Sequence, residues 1–379
     1  MEIVSGIDSM MDIINENKIL KKGVSGIMRV KNDAEFIEAC IDSCIEALDE
    51  LIIVYNDCID STPELIEKKR LQYPNKIKIY EYKHKVYGVN LTKEEYEYVN
   101  NLPLDSPNLL CNYYNYALSK VNYSYAMKID ADQIYYTKEL KKWCDICRLD
   151  YKPSRGVKYM IGLFAQIYFM IYRFICFRLD KKIPFLPKFL MQSIKSCYFE
   201  YAKYEFAVGN ACLSLSGVNV FKDSEWCVSL GHKNDIINIM PPFNGEGDHL
   251  IFKVSNDTFY IKYDMPYYNK LRSCNYSLIE EFKHPYKVLC VGFCWFHLNA
   301  MREMCRDKVK IVKSLCPQSF IELSKFYKLN FRDIQDIMGN EMITPRQCVI
   351  FEFTYLLDSE SIRSNTSLLS SLGDGQYDN

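Results

Sequence analysis

Tyr125-Ala-Met-Lys-Ile-Asp-Ala-Asp132 joins a short apolar run to two carboxylates that one residue separates. The apolar part predicts a buried strand, and Asp130 and Asp132 follow directly where that strand ends. Two comparable apolar runs come earlier in the chain, at Gly26–Val30 and Leu51–Tyr55, and Ile77–Tyr82 alternates apolar and polar residues as a strand does. The first third of the chain therefore predicts four strands, the last of which carries a pair of acidic residues.

Helical patterns lie between these strands. Apolar residues recur at helical spacing over residues 33–48, and a further helix is predicted over residues 109–120. Between them, Ser61 and Glu64 stand at capping-box spacing with Pro63 in the first turn, which predicts a helix start. This alternation predicts a mostly parallel α/β sheet with helices on both faces, and ligands bind such sheets beyond the carboxyl ends of the strands.

Composition limits the possible function. The 379 residues include 47 basic and 48 acidic side chains, so no overall positive charge favours nucleic acid. No Gly-rich P-loop and no G-x-G-x-x-G motif occurs. The first twenty residues lack the basic start and apolar run of a secretory signal, so we expect a cytoplasmic protein whose 16 cysteines are reduced. Cys144 and Cys147 form the C-x-x-C pair, which lies in a helical pattern and favours a structural role.

Polar residues cluster after two of the predicted strands. Asn56, Asp57 and Asp60 follow the second strand, and Asp130 and Asp132 follow the fourth. Asn and Asp are also common in turns, so turn chemistry remains an alternative for either cluster. Oxygen ligands of this kind suit Mg²⁺ or Mn²⁺, which usually also take phosphate oxygens of a substrate.

Four segments resemble one enzyme family. Arg29-Val-Lys-Asn32, Tyr55-Asn-Asp-Cys58, Tyr113-Tyr-Asn-Tyr-Ala117 and Lys128-Ile-Asp-Ala-Asp132 are similar to bacterial β-1,4-N-acetylgalactosaminyltransferases of lipooligosaccharide synthesis, within the family-2-like GT-A glycosyltransferases. The resemblance implies a GT-A fold, a UDP-sugar donor, and Mn²⁺ or Mg²⁺.

Carried over by position, the resemblance places Arg29, Asn56 and Asp57 at the donor nucleotide, with Asp57 near the uridine. It places Asp130 on the ribose or the metal, and Asp132 on the metal that binds the diphosphate. The Gly-Ser that the family carries after the second strand is replaced by Cys58-Ile59.

The acceptor half has two candidate segments. Gly245-Glu-Gly-Asp-His-Leu-Ile-Phe-Lys253 resembles the family's Glu-Asp pair at the start of an acceptor-side helix, which implies that Asp248 is the catalytic base and Glu246 the alternative. Asp248 as a plain helix cap is the structural alternative. His297, in an apolar run, matches a C-terminal histidine that GT-A enzymes often bring to the metal; a core histidine is the other interpretation.

Residues 151–203 hold ten basic and two acidic side chains, and Tyr159 to Tyr172 carries no charge. Fourteen residues are too few to span a bilayer, which needs about 20. Aromatic residues with flanking cations favour a helix that lies in the headgroup layer, with residues 155–190 contacting the membrane. A buried core helix with a basic rim is the alternative.

The expected organisation is an N-terminal extension (1–22), a nucleotide-sugar half (23–150), a basic helical insertion (151–205), an acceptor and catalytic half (206–310), a helical region (311–357) and a disordered tail (358–379).

The predicted function is a metal-dependent, inverting transferase that moves a sugar from a UDP-sugar to a glycan or lipid-linked glycan at the inner face of the cell membrane. N-acetylgalactosamine is favoured, and galactose, glucose or N-acetylglucosamine remain open. A sugar nucleotidyltransferase and a non-catalytic assembly protein are the alternatives.

Overall fold

The computed structural model describes residues 18–88, 91–149, 154–179, 188–230, 241–245, 247, 249–265, 276–338, 345–370 and 372. The chain divides into two compact units. The first unit comprises Met1–Ala131 and Phe252–Tyr286, and the second comprises Asp132–Ile251 and Lys287–Asn379. The boundary therefore falls within the predicted acidic pair, after Asp130.

The first unit is built on a parallel sheet with the strand order β3-β2-β1-β4. Its strands are β1 (Lys21–Val30), β2 (Glu50–Tyr55), β3 (Ile77–Glu81) and β4 (Tyr123–Ile129). Its helices are α1 (Ile37–Cys44), α2 (Thr62–Gln72), α3 (Lys93–Asn100) and α4 (Leu110–Ser119). All four predicted strands are present, so the predicted α/β fold with a mostly parallel sheet is confirmed.

Local chemistry explains where these helices begin and what they bury. α1 buries Ile37, Cys40, Ile41 and Cys44, the stripe that helical spacing predicts. The predicted capping box of α2 is wrong, because the Ser61 side chain makes no cap bond. Asp60 Oδ1 instead accepts from the Thr62 N–H at 3.0 Å, because an Asx turn satisfies the first free amide.

A two-stranded antiparallel ribbon completes the first unit, formed by residues 259–265 and 277–283. Asn115 of α4 binds this ribbon through both amide atoms. Its Nδ2 donates to the Tyr260 carbonyl at 2.8 Å, and its Oδ1 accepts from the Tyr260 N–H at 2.7 Å. Because both atoms are buried and paired, the contact fixes α4 against the ribbon.

The second unit is centred on β6, which pairs with four other strands. Its strands are β5 (Gln133–Tyr135), β6 (Ala211–Lys222), β7 (Trp226–Ser229), β8 (Phe243–Asn244), β9 (Leu250–Lys253, of which Leu250 and Ile251 lie in this unit), β12 (Lys287–His297) and β13 (Phe320–Glu322). The two strands of the ribbon in the first unit are β10 (Phe259–Met265) and β11 (Ser277–Lys283). β12 is parallel to β6, whereas β7, β8 and β9 are antiparallel to it. β5 adds to the free side of β12 and runs antiparallel to it.

Eight helices are described in the second unit. They are α5 (Thr137–Arg148), α6 (Val157–Leu179), α7 (Lys188–Ala207), α8 (Glu303–Leu315), α9 (Leu323–Phe326), α10 (Phe331–Met338), α11 (Pro345–Ser364) and α12 (Ser367–Ser370). Within residues 151–205, the described residues are helical from Val157 to Leu179 and from Lys188 onward, and residues 154–156 are not helical. Gly162 permits α6 to approach α7, because a Cβ on it would lie 2.2 Å from the Cys197 carbonyl oxygen.

Two predictions fail in this unit. Leu250–Lys253 is a strand rather than a helix start, because it pairs with β6 through Leu213 and Ser214. The tail predicted to be disordered from Asp358 instead continues α11 to Ser364 beyond a kink at Asp358 and forms α12 at Ser367–Ser370. The buried Asp358 carboxylate bonds Lys195 at 3.1 Å and Ser361 at 2.7 Å, which attaches this segment to the second unit. Residues 373–379 lie outside the described residues.

Candidate active site

The carboxyl ends of β1, β2 and β4 share one edge of the first unit because these strands are parallel. Hydrogen bonds join the loops that follow β1 and β2. Asn32 Oδ1 accepts from the Ile59 N–H at 2.8 Å, and Asp60 Oδ2 accepts from the Ala34 N–H at 3.1 Å. Asn32 and Asp57 adopt left-handed φ values of 56° and 47°, which short polar side chains tolerate. The two loops therefore form one braced polar rim.

Asn56 is buried at this rim with one half of its amide unused. Its Nδ2 donates to the carbonyls of Tyr82 and His84 at 2.6 and 2.7 Å. Asn56 is only 2% exposed, and its buried Oδ1 has no hydrogen-bond partner among the described residues. A buried acceptor without a partner costs free energy, of order 1–3 kcal/mol, which a ligand N–H would recover.

Asp57 and Asp130 differ in their surroundings. The Asp57 carboxylate is 67% exposed and forms an ion pair with Lys31 at 3.0 Å. Asp130 is half-buried at the end of β4, and its carbonyl accepts from the Cys40 thiol at 3.3 Å. Both residues therefore lie at the carboxyl edge of the sheet, as the sequence predicts.

The Arg29 guanidinium is buried, unlike a side chain at an open binding surface. Its guanidinium lies 4.6 Å from the ring centroid of Tyr114 and bonds the Tyr114 hydroxyl at 3.0 Å. Burial alone would lower the pKa of Arg29, but Tyr114 and Glu280 outweigh it and hold the pKa above its ordinary value. Arg29 remains a fixed positive charge near the ends of the strands.

Strand register in the second unit brings Asp132 to His297. His297 ends β12 opposite Gln133 of β5 on one side and Asn219 of β6 on the other. The Leu298 N–H donates to the Asp132 carbonyl at 2.8 Å. As a result His297 Nε2 lies 3.4 Å from Asp132 Oδ2, and the side chains are only 11% and 8% exposed.

Two asparagines orient the His297 ring. Nδ1 of the ring lies 2.7 Å from Asn219 Oδ1 and 2.7 Å from Asn244 Nδ2. The Trp295 indole N–H donates to Asn244 Oδ1 at 3.0 Å, which fixes the direction of that amide. The Asn219 oxygen accepts from a protonated Nδ1, and that tautomer leaves Nε2 unprotonated toward Asp132, as metal binding requires; the Asn244 amide nitrogen is a donor and suits the opposite tautomer.

Gly217 leaves the space that this arrangement needs. It stands opposite Trp295 on one side and Asn244 on the other. A Cβ at this position would lie 1.9 Å from the Trp295 indole nitrogen and 2.5 Å from Asn244 Oδ1. The indole–amide hydrogen bond that orients His297 through Asn244 therefore depends on a glycine here.

Sequence reasoning did not find Arg302. Its Nε and one terminal nitrogen each lie 3.1 Å from Asp132 Oδ2, the oxygen that also faces His297. Asn219 and Asn244 were also missed, because they lie 78 and 53 residues from His297 in sequence. No local motif marks any of the three.

The donor atoms of Asp132 and His297 fit one divalent ion. With metal–ligand distances of about 2.1 Å, two ligands of one ion lie about 3 to 3.5 Å apart, as these atoms do. A carboxylate oxygen with an imidazole nitrogen suits Mn²⁺. No group of three or more His, Cys, Asp or Glu side chains suited to a metal occurs within the described ranges. An ion held here would take its other ligands from water or a substrate.

The predicted bases Glu246 and Asp248 lie outside the described residues. The described residues on either side of them contact β12 and β5. Asn244 contacts His297, and His249 Nε2 lies 2.8 Å from the amide nitrogen of Gln133. Gly245 and Gly247 have φ values of +91° and +74°, a backbone conformation that favours glycine.

The first unit and the start of the second are similar to a known family. Residues 21–175 match the family model of the β-1,4-N-acetylgalactosaminyltransferases (CgtA). This match confirms the resemblance that the sequence segments predict, over about two fifths of the chain. It includes Arg29, Asn56, Asp57, Asp130 and Asp132, and it ends before His297. No curated protein matches the sequence.

Solved glycosyltransferase structures are similar to the chain only at low sequence identity and low TM-score. Residues 1–349 of S. aureus TarS in complex with UDP are 16% identical, with 33% of this chain and 32% of that chain covered and a TM-score of 0.22. Glucosyl-3-phosphoglycerate synthase from Mycobacterium tuberculosis, in complex with Mn²⁺, UDP and phosphoglyceric acid, is 16% identical, with 34% and 37% covered and a TM-score of 0.20. This chain thus spans about a third of the length of each.

Proposed function

We propose that the protein is a metal-dependent, inverting glycosyltransferase that uses a UDP-sugar. The acceptor is a hydroxyl of a glycan or lipid-linked glycan in bacterial surface polysaccharide synthesis, and N-acetylgalactosamine is the favoured sugar. The observation that carries this proposal is the 3.4 Å approach of His297 Nε2 to Asp132 Oδ2, at the end of the strand series that the family match covers.

Asp132 and His297 hold the divalent ion, Mn²⁺ or Mg²⁺. When bound, the ion neutralises charge on the departing diphosphate. Asn219 Oδ1, by accepting from Nδ1–H, would keep Nε2 of His297 unprotonated and directed to the ion. Asp130 follows β4 two residues before Asp132 and contacts the ribose or the ion.

The nucleoside binds at the polar rim of the first unit. Asn56 Oδ1 is a buried acceptor that suits the imide N–H of uracil, since its amide nitrogen is already committed to two carbonyls. Asp57 lies at the same rim, near the uridine, and Arg29 supplies a fixed positive charge at the strand ends. A uridine N–H that meets Asn56 Oδ1 would pair an acceptor that has no partner among the described residues.

The protein also contacts the membrane, on the cytoplasmic side, through α6. This helix is the one described segment long and apolar enough to cross a bilayer, and a third of its most apolar window is buried. Its inner face packs on the second unit, where Phe169 stacks on Phe353 with centroids 4.0 Å apart and Tyr172 bonds Glu352 at 3.2 Å. A helix held in this way favours lying along the headgroup layer over spanning.

The outer face of α6 is apolar and its ends are basic. Exposed cations stand at Arg155 and Lys158 before or in the first turn and at Arg178 near the end. The large exposed apolar residues along it are Val157, Met160, Ile161, Phe164, Ile167, Tyr168, Met170, Ile171, Phe174, Ile175, Phe177 and Leu179. Such a contiguous patch marks an interaction site, and the basic flanks favour an anionic bilayer.

Turnover of UDP-sugars by the purified protein tests the proposed function. We expect release of UDP from one UDP-sugar, with glycan acceptor and Mn²⁺ both required, and a product whose anomeric configuration is inverted. Binding of the donor only to the folded state should also raise the melting temperature, and only when Mn²⁺ is present. Formation of pyrophosphate from a sugar phosphate would instead indicate a nucleotidyltransferase, and no response to any donor would contradict the proposal.

Asp248 is the proposed catalytic base. A positioned base accelerates proton transfer by about 10²–10⁴-fold, so Asp248→Asn should lower kcat within that range and leave donor binding unchanged. Glu246→Gln is the matched comparison, since it removes the other carboxylate of the same glycine-rich segment. If only Glu246→Gln lowers kcat, then Glu246 is the base, and full turnover by both variants would refute the assignment to this segment.

A further inference from the structure

Arg302 and His297 contact the same oxygen of Asp132. The guanidinium Nε and a terminal nitrogen lie 3.1 Å from Asp132 Oδ2, and His297 Nε2 lies 3.4 Å from it. Asp132 is buried, and a buried carboxylate needs a nearby positive charge. Arg302 supplies that charge in the structure as it stands.

A divalent ion on Asp132 and His297 would compete with Arg302. An ion about 2.1 Å from Asp132 Oδ2 would lie within a few ångströms of a guanidinium that also contacts Oδ2. Two cations at this separation repel each other, most strongly at a buried site. We propose that Arg302 occupies the metal position on Asp132 in the metal-free protein and that binding of a divalent ion displaces it. This inference rests on the metal site of the proposed function.

The position of Arg302 in the chain permits this displacement. It is the N-cap residue of α8, between a short 3₁₀ turn (Asn299–Met301) and the helix. The N-terminal end of a helix carries partial positive charge, so a cation there gains nothing from the helix. The Arg302 side chain is 26% exposed, so it has access to solvent when it leaves Asp132. The two contacts with Asp132 Oδ2 hold the guanidinium inward.

Titration of the full chain with Mn²⁺ alone tests the proposal, with the free-ion signal measured by electron paramagnetic resonance. The Arg302→Gln variant lacks the guanidinium that competes with the ion for Asp132. It should therefore bind Mn²⁺ about tenfold more tightly than the wild type. Lys310→Gln is the matched control, since it removes the same charge from an exposed position of α8, and it should leave the dissociation constant nearly unchanged. Asp132→Asn should abolish the binding in either background.

The outcomes separate this inference from the proposed function. Mn²⁺ binding that Asp132→Asn removes, but that Arg302→Gln leaves equal or weakens, would refute the role of Arg302 and retain the metal site. Binding that does not depend on Asp132 would refute both. If Arg302→Gln does not fold, Arg302→Lys decides, because lysine lacks the planar fork of donors. It should bind Mn²⁺ severalfold more tightly than the wild type, and an unchanged constant would contradict the proposal.

Discussion

Asp132→Asn is expected to lower Mn²⁺-dependent transfer from a UDP-sugar by about 10³-fold or more. The substitution keeps the shape of the side chain but removes the charge that faces His297 and Arg302. A bound metal supplies several kcal/mol of charge stabilisation to the leaving diphosphate, and each ~1.4 kcal/mol is a factor of ten in rate. Initial rates at saturating donor, measured across a range of Mn²⁺ concentrations, check this result.

Asp223→Asn is the matched control for that experiment. Asp223 is a half-exposed carboxylate of the same unit that pairs with Lys313 at 2.8 Å, so its loss should change the rate less than twofold. Circular dichroism establishes that both variants are folded. An Asp132→Asn protein that keeps more than a tenth of the wild-type rate, with the same dependence on Mn²⁺, would show that Asp132 is not the metal ligand.

Replacement of Phe164, Met170, Phe174 and Phe177 by serine is expected to weaken binding to anionic vesicles by roughly 100-fold or more. These four side chains are exposed on the outer face of α6. Full burial of one such side chain contributes about 1.5–3 kcal/mol, so even partial insertion of four gives a large combined effect. Co-sedimentation with phosphatidylglycerol vesicles at increasing lipid concentration measures the change.

A matched set of exposed apolar residues of the first unit serves as the control. Ile59, Leu71 and Leu104 are at least half exposed and lie away from α6 in sequence, so their replacement by serine should leave vesicle binding unchanged. Added salt should weaken wild-type binding, because the basic ends of α6 are screened. Wild-type protein that remains in the supernatant at all lipid concentrations would refute the membrane contact.

Local sequence signals predicted the parallel sheet of the first unit. β1, β2 and β4 each contain a short apolar run, the form that buried parallel strands take, and β3 alternates apolar and polar residues. The run Leu250-Ile-Phe252 was predicted incorrectly because three apolar residues fit a buried strand and a helix start equally well. Its pairing with β6 decides between them, and that pairing joins residues far apart in the chain.

The candidate site was only partly predictable for the same reason. Asp130 and Asp132 follow a strand directly, so their location was evident from one segment. The partners of His297 come from β6, β8 and the residue directly before β5, and the register of these strands brings them together. Arg302 has no motif around it, and only the folded arrangement places it on Asp132.

Anomalous diffraction at the manganese edge, from crystals grown with Mn²⁺ and UDP, tests the central claim most directly. The account predicts one strong peak about 2.2 Å from a carboxylate oxygen of Asp132 and from Nε2 of His297, with diphosphate oxygens completing the coordination. A manganese peak elsewhere, or UDP bound with Asp132 and His297 both more than ~4 Å from any metal ion, would contradict it.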